Sequence, residues 1–291
     1  MRNHTERLDP GTRMDTLSLR VADLPGMVEY YTTGVGLVPL AEGGGTVTLG
    51  LGSIPVLQLV HSPELRRPSG PSAGLYHSAI LFDSRADLSA SLLSMFTRYG
   101  QGYTGSADHL VSEAFYFNDP EGNGLELYAD RPRDQWQWDG DQVRMATIYL
   151  DPSTFVSTHL DRDAAASDQP IKLQGSLGHA HLQVGDIATA RDFYVDVLGF
   201  DQTALMGSQA LFVSAGGYHH HLGMNTWHSR GAGVRDKTLG LGSVDILVPN
   251  RNELDRTIER LRGASAEVRD DGNRVITFDP WRNEVRLNLA A

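Results

Sequence analysis

The run His109-Leu-Val-Ser-Glu-Ala-Phe115-Tyr116-Phe-Asn-Asp119-Pro120-Glu121-Gly122-Asn-Gly-Leu-Glu126 gathers an imidazole, a phenol and the carboxylates of Asp119 and Glu126 in one short stretch. Asp119-Pro120-Glu121-Gly122 has the composition of a tight turn. The segment carrying Tyr116 should therefore double back as a strand through Leu125-Glu126-Leu127. Period-two alternation turns Glu126 away from the face of Leu125 and Leu127, and the turn brings Tyr116 near it. A carboxylate set between two leucines is costly to bury unless positive charge lies beside it, and a metal ion would meet that need. The chain has no cysteine, so any metal must be held by histidine and carboxylate.

The elements that position these groups repeat along the chain. Thr16-Leu-Ser-Leu-Arg-Val21-Ala-Asp23 returns as His179-Ala-His-Leu-Gln-Val184-Gly-Asp186, an offset of 186 − 23 = 163 that also relates Tyr31 to Tyr194 and Gly36 to Gly199. Each copy reads as a strand followed by an Asp able to N-cap a helix. In the later copy Ile187, Ala190, Tyr194 and Leu198 share one helical face, and Gly199 supplies the stop. A second unit type starts at Gly74-Leu-Tyr-His77 and recurs at Gly240-Leu-Gly-Ser243, with Leu88 matching Leu254 (254 − 88 = 166). Asp119-Pro120 returns as Asp279-Pro280, the offset falling to 160. Four strand–helix–strands units follow, at roughly 13–61, 74–130, 176–228 and 238–290. They give an N-terminal module over 1–135, a connecting segment over 136–175 and a C-terminal module over 176–291.

A chain of 291 residues can build two cores of ordinary size. Its 40% apolar content and 31 glycines suit a globular, strand-rich protein. A net charge of −11 argues against nucleic acid and anionic membranes as partners, and no segment approaches the length of a membrane span. A soluble, cytoplasmic protein is expected.

Four βαβββ units resemble the vicinal oxygen chelate superfamily, which includes glyoxalase I, bleomycin-resistance proteins and type I extradiol dioxygenases. The His109–Glu126 run resembles the extradiol signature, departing from it at Ala107. Within the superfamily, Tyr103 through Pro132 and Trp136-Gln-Trp138-Asp-Gly140 most resemble the two-module bacterial catechol 2,3-dioxygenases. The resemblance implies an α+β fold in which units pair their curved sheets around a cavity, with metal ligands on first and last strands.

Carried onto this chain, the ligand positions hold Thr16 in unit one and His179 in unit three, and His77 in unit two against Ser243 in unit four. The carboxylate position holds Glu126 in unit two and Arg286 in unit four (286 − 126 = 160). Units two and three thus carry His77, Glu126 and His179, the 2-His-1-carboxylate set of non-haem Fe(II), which Mn(II) also suits. Pairing unit two with unit three completes one site, and pairing one with four leaves the other sheet without metal. His181, on the strand face of His179, is expected to be a hydrogen-bonded structural residue.

Tyr218-His219-His220-His221-Leu222 falls on the last strand of unit three by repeat alignment, with His220 opposite Leu57 (220 − 163 = 57). The resemblance implies an acid–base histidine here, His220, with His219 and His221 as alternatives because strand register is uncertain by one. Glyoxalase-type isomerases place a second carboxylate at this position. Tyr116 and His109 would donate hydrogen bonds to bound catecholate or oxygen. The implied activity is Fe(II)-dependent extradiol cleavage of a catechol with O2. A metal-dependent isomerase or lyase and a non-enzymatic binder of aromatic compounds are the alternatives. Assembly of identical copies stays open.

Overall fold

In the computed structural model of the chain, residues 7–165 and 172–290 are described. Two eight-stranded curved mixed sheets dominate. One runs Asp201–Met206, Ala210–Ser214, Leu222–Asn225, Gly175–Gln183, Gly74–Phe82, Gly124–Asp130, Ser112–Asn118, Tyr103–Asp108 from edge to edge. It is made of units three and two, joined where Gly175–Gln183 and Gly74–Phe82 pair antiparallel. The other sheet joins units four and one through Gly240–Val248 and Arg13–Val21. Unit two thus pairs with unit three and unit one with unit four, as the ligand positions required. This is the two-sheet α+β architecture expected from the sequence.

Alternation divides each strand between two faces. In the sheet of units two and three, Ile80, Phe115, Phe117, Leu125, Leu127, Ala180 and Leu182 are fully buried in the main apolar core. Each such leucine contributes about 1.5–3 kcal/mol. The intervening residues His77, Tyr116, Glu126, His179 and His181 share the opposite face. That polar face carries the candidate site.

Each unit's helix begins on a side-chain cap: Asp23 accepts from the Gly26 amide, Ser84 from Asp87, Asp186 from Thr189 and Asn250 from Glu253. Where the repeat suggests one continuous α-helix, units one and three instead widen into π-helical turns, Tyr30–Val35 and Asp192–Val197, closed by Gly36 and Gly199 with φ of 90° and 95°. From these turns Tyr31 and Tyr194 reach Asp119 and Asp279 of the following units, each at 3.0 Å. Sheet pairing therefore links units two with three and four with one, whereas these buried hydroxyl–carboxylate bonds link one with two and three with four.

The connecting segment contains a short hairpin, Trp138–Asp139 with Gln142–Val143, and a helix, Pro152–His159; residues 166–171 of it lie outside the described residues. No helix among the described residues is long and apolar enough to cross a membrane.

Candidate metal centre

Glu126 pairs with Tyr116 across the antiparallel ladder and with Ala79 across the parallel one. His77 lies two residues before Ala79 and so shares its face. On the neighbouring strand a register shift at Gly178 sets His179 opposite Ala79 and His181 opposite His77. Gly178 has no substitute here, because a Cβ would lie 1.8 Å from the hydroxyl of the fully buried Tyr128.

The three expected ligands converge. His77 Nε2 and His179 Nε2 lie 3.0 and 3.1 Å from the same Glu126 oxygen, Oε2, and 3.4 Å from each other. All three are buried, and they form a group whose ligand atoms lie within 4.8 Å of one another. Burial pushes the His179 imidazole down to about 4, so it is neutral at pH 7. Burial opposes ionisation of Glu126, but the His179 and His77 imidazoles overcome it and hold the carboxyl well below its usual range. One carboxylate and two imidazoles converging on a point form a donor set that fits a divalent transition metal. His179 Nδ1 has no hydrogen-bond partner among the described residues. Packing against Tyr128 and His220, with ring centroids at 5.0 and 4.1 Å, orients the ring instead.

The histidine run differs from expectation in local structure. His219, His220 and His221 precede the strand, which begins at Leu222, so alternation does not sort them. Of the three, His220 lines the cavity beside His179. His219 turns to Asp130, with Nε2 to Oδ1 at 3.0 Å. His221 stacks on Tyr218 and accepts the Ala215 amide at Nδ1. Burial holds the His220 imidazole well below its ordinary value, with the neighbouring histidines adding to the effect.

Tyr116 and His109 are bonded to each other, Tyr116 Oη to His109 Nε2 at 2.6 Å. His109 Nδ1 meets the Ala146 carbonyl at 2.7 Å. A carbonyl only accepts, so Nδ1 carries the proton and Nε2 accepts from the Tyr116 hydroxyl. His109 lines the cavity, but both of its ring nitrogens are engaged, so the ring acts on the phenol. Burial, reinforced by Glu126, raises the Tyr116 phenol well above its usual value, so it stays protonated.

The cavity around these groups measures about 680 Å³, within the range of small-molecule sites. Two larger clefts, of about 1040 and 880 Å³, do not include the histidine–carboxylate group. Three contributions were not legible in the sequence. Met145, Ala146 and Thr147 of the connecting segment form part of the wall. Tyr76 and Trp227 pack edge-on to each other at 5.2 Å. His181, expected to be hydrogen-bonded, lines the cavity, packs edge-on to His77 at 4.9 Å and has no partner at Nε2 among the described residues. Alternation from His179 pointed to its face but not to its partners. Gly223 makes room for that ring, since a Cβ there would lie 3.0 Å from it.

Comparison with known proteins agrees with this architecture. Residues 176–287 match the family model of the glyoxalase/bleomycin resistance protein/dioxygenase superfamily. The chain is 34% identical over 275 residues to a Bacillus subtilis (strain 168) protein named catechol-2,3-dioxygenase, covering 92% of this chain and 94% of that one. Among solved structures, a B. subtilis subsp. subtilis str. 168 protein described as a candidate dioxygenase superposes with a TM-score of 0.64 at 12% identity, covering 97% of this chain and 86% of its own. Glyoxalase I from Zea mays superposes with a TM-score of 0.55 at 16% identity, covering 96% and 92%. These two likenesses concern the fold. The chain belongs to the glyoxalase/bleomycin resistance protein/dioxygenase superfamily.

Proposed function

We propose that this protein is an extradiol ring-cleavage dioxygenase that opens a catechol with O2, using Fe(II) held by His77, Glu126 and His179. The observation that carries the reading is the company of that triad. Glu126 is the sole carboxylate among the described residues lining the cavity, and His220 stands beside the triad where a glyoxalase-type isomerase would need a second carboxylate. The relative named catechol-2,3-dioxygenase supports the same choice.

Fe(II) bound there would supply the redox-active Lewis acid that brings an electron-rich ring and dioxygen together, and Mn(II) suits the same donors. The protein's part is positioning and proton movement. Neutral His220 takes a proton from a catechol hydroxyl at its cavity-facing nitrogen and returns it as the ring opens. Tyr116 gives its hydrogen to His109, so its oxygen is directed to accept from the substrate's other hydroxyl. Phe212, Trp227 and Met206 provide apolar surface for the ring.

Anaerobic loading with Fe(II) or Mn(II), followed by a panel of catechols in an oxygen electrode, tests the reading. Oxygen uptake matched by a yellow ring-fission product is expected. Full metal occupancy with no uptake on any catechol, or metal-dependent isomerisation of a thiohemiacetal instead, would overturn it.

A further inference from the structure

Beside the cavity, three polar side chains from two units form a line. Asp130 ends the strand that carries Glu126, and its Oδ1 lies 3.0 Å from His219 Nε2. His219 Nδ1 lies 2.8 Å from Nδ1 of His220, whose ring packs on His179. The line is clamped from the sides: Tyr218 Oη donates to Asp130, Tyr128 and Tyr218 hydroxyls are 2.8 Å apart, and Trp136 packs edge-on to His219 at 5.2 Å. His219 is completely buried.

The chemistry of the partners fixes the protons. A carboxylate can only accept, so His219 Nε2 carries hydrogen. The 2.8 Å contact between the two Nδ1 atoms has room for a single hydrogen; carried by His220, it makes His219 Nδ1 the acceptor. That leaves His220 Nε2 as the bare nitrogen. We infer that Asp130 and His219 are positioning residues whose relay holds His220 in the Nδ1–H tautomer, with its basic nitrogen toward the cavity. The inference rests on the proposed role of His220 as the acid–base group.

The internal repeat separates this role from a merely structural one. Strand pairing sets Leu222 in the place of Leu57 (222 − 57 = 165), so at the matching positions of units one and four the chain has Ile54 (219 − 165 = 54), Pro55 (220 − 165 = 55) and Ala290 (130 + 160 = 290). The sister sheet folds without any member of the line, and the three members occur together on the sheet that carries the triad. Conserving the ring's tautomer through a carboxylate one residue removed matters because the wrong tautomer offers a donor where a base is needed.

Long-range ¹H–¹⁵N correlation spectra of the full chain, metal-free and loaded with diamagnetic Zn(II), read the tautomer directly, with His220→Gln assigning the ring. Wild type should show protonated Nδ1 and bare Nε2. Asp130→Ala and His219→Phe should shift the ring toward Nε2–H, whereas Asp130→Asn, which keeps an accepting oxygen, should retain the wild-type pattern. In the Fe(II) protein the two disruptive variants should lower kcat by roughly 10- to 100-fold, as for lost supporting hydrogen bonds, with KM and iron content near wild type. Asp130→Asn should recover most of the loss. A wild-type ring protonated at Nε2, or one unmoved by both disruptive variants, would overturn the relay. The expected tautomer pattern in a protein inactive on every catechol would support the relay and sink the dioxygenase reading.

Discussion

At the scale of single residues, the site is organised by the cost of burying charge. Glu126 is 2% exposed and held ionised by the two imidazoles at 3.0 and 3.1 Å, whose Nε2 atoms a metal would take over. Removing the carboxylate removes the only negative charge among the described residues lining the site. Glu126→Ala should therefore lose the metal, read by elemental analysis after dialysis against weak chelator. His220→Ala should keep it but lose turnover by on the order of 10²–10⁴-fold, the range for a lost acid–base group. Metal loss in His220→Ala would make His220 a ligand and favour the isomerase. The ligand residues were legible because repeat offsets aligned them with Thr16, Ser243 and Arg286, which lack their chemistry. The choice among His219, His220 and His221 was not legible. These residues lie in a bend before the strand, and only their partners Asp130, His179 and Ala215 sort them.

Elements explain why part of the signature is not catalytic. Asp119 accepts from Glu121 N, Asn123 N, Asn123 Nδ2 and Tyr31 Oη. Asp279 repeats the set with Trp281 N, Asn283 N, Asn283 Nδ2 and Tyr194 Oη. The sheet without the triad has the same turn, so Asp-Pro in the motif is a structural lock that brings the strand of Glu126 back beside Tyr116. Tyr31→Phe and Tyr194→Phe should each cost about 1–3 kcal/mol in chemical unfolding, the penalty for an incompletely paired buried acceptor, while leaving metal content unchanged. Metal loss in Tyr31→Phe alone would mean that the lock acts on the site directly. The sequence showed the strands, the caps and the stops at Gly36 and Gly199. It did not show the π turns, because Tyr31 and Tyr194 fit an α-helical apolar face equally well and only their buried partners require the wider turn.

For the whole molecule, ligand chemistry predicted topology: a triad divided between units two and three required those units to share a sheet, and they do. The wall contributed by Met145, Ala146 and Thr147 had no such signal, since the connecting segment has no repeat partner. Global stability should depend on acidity through buried imidazoles away from the triad. Burial, aided by His219 and Arg133, pushes His221 down to about 3. The unfolded chain protonates this residue below about pH 6.5, whereas the folded chain does so only near its lowered value. Stability therefore falls as pH drops through that window, by about 1.4 kcal/mol per pH unit for this group. His221→Gln should flatten the pH 6 to 4 slope of unfolding free energy by about that amount; an unchanged slope would show that His221 is already protonated in the fold.

The central claim is that the sheet of units two and three holds iron to cleave a catechol with both atoms of dioxygen, and isotopic oxygen tests it most directly. Mass spectrometry of the product formed by the iron-loaded protein under ¹⁸O2 should find both labelled atoms in the ring-opened product, with no product from Glu126→Ala. An unlabelled product, a single retained label, or an intact ring at full iron loading would contradict the account.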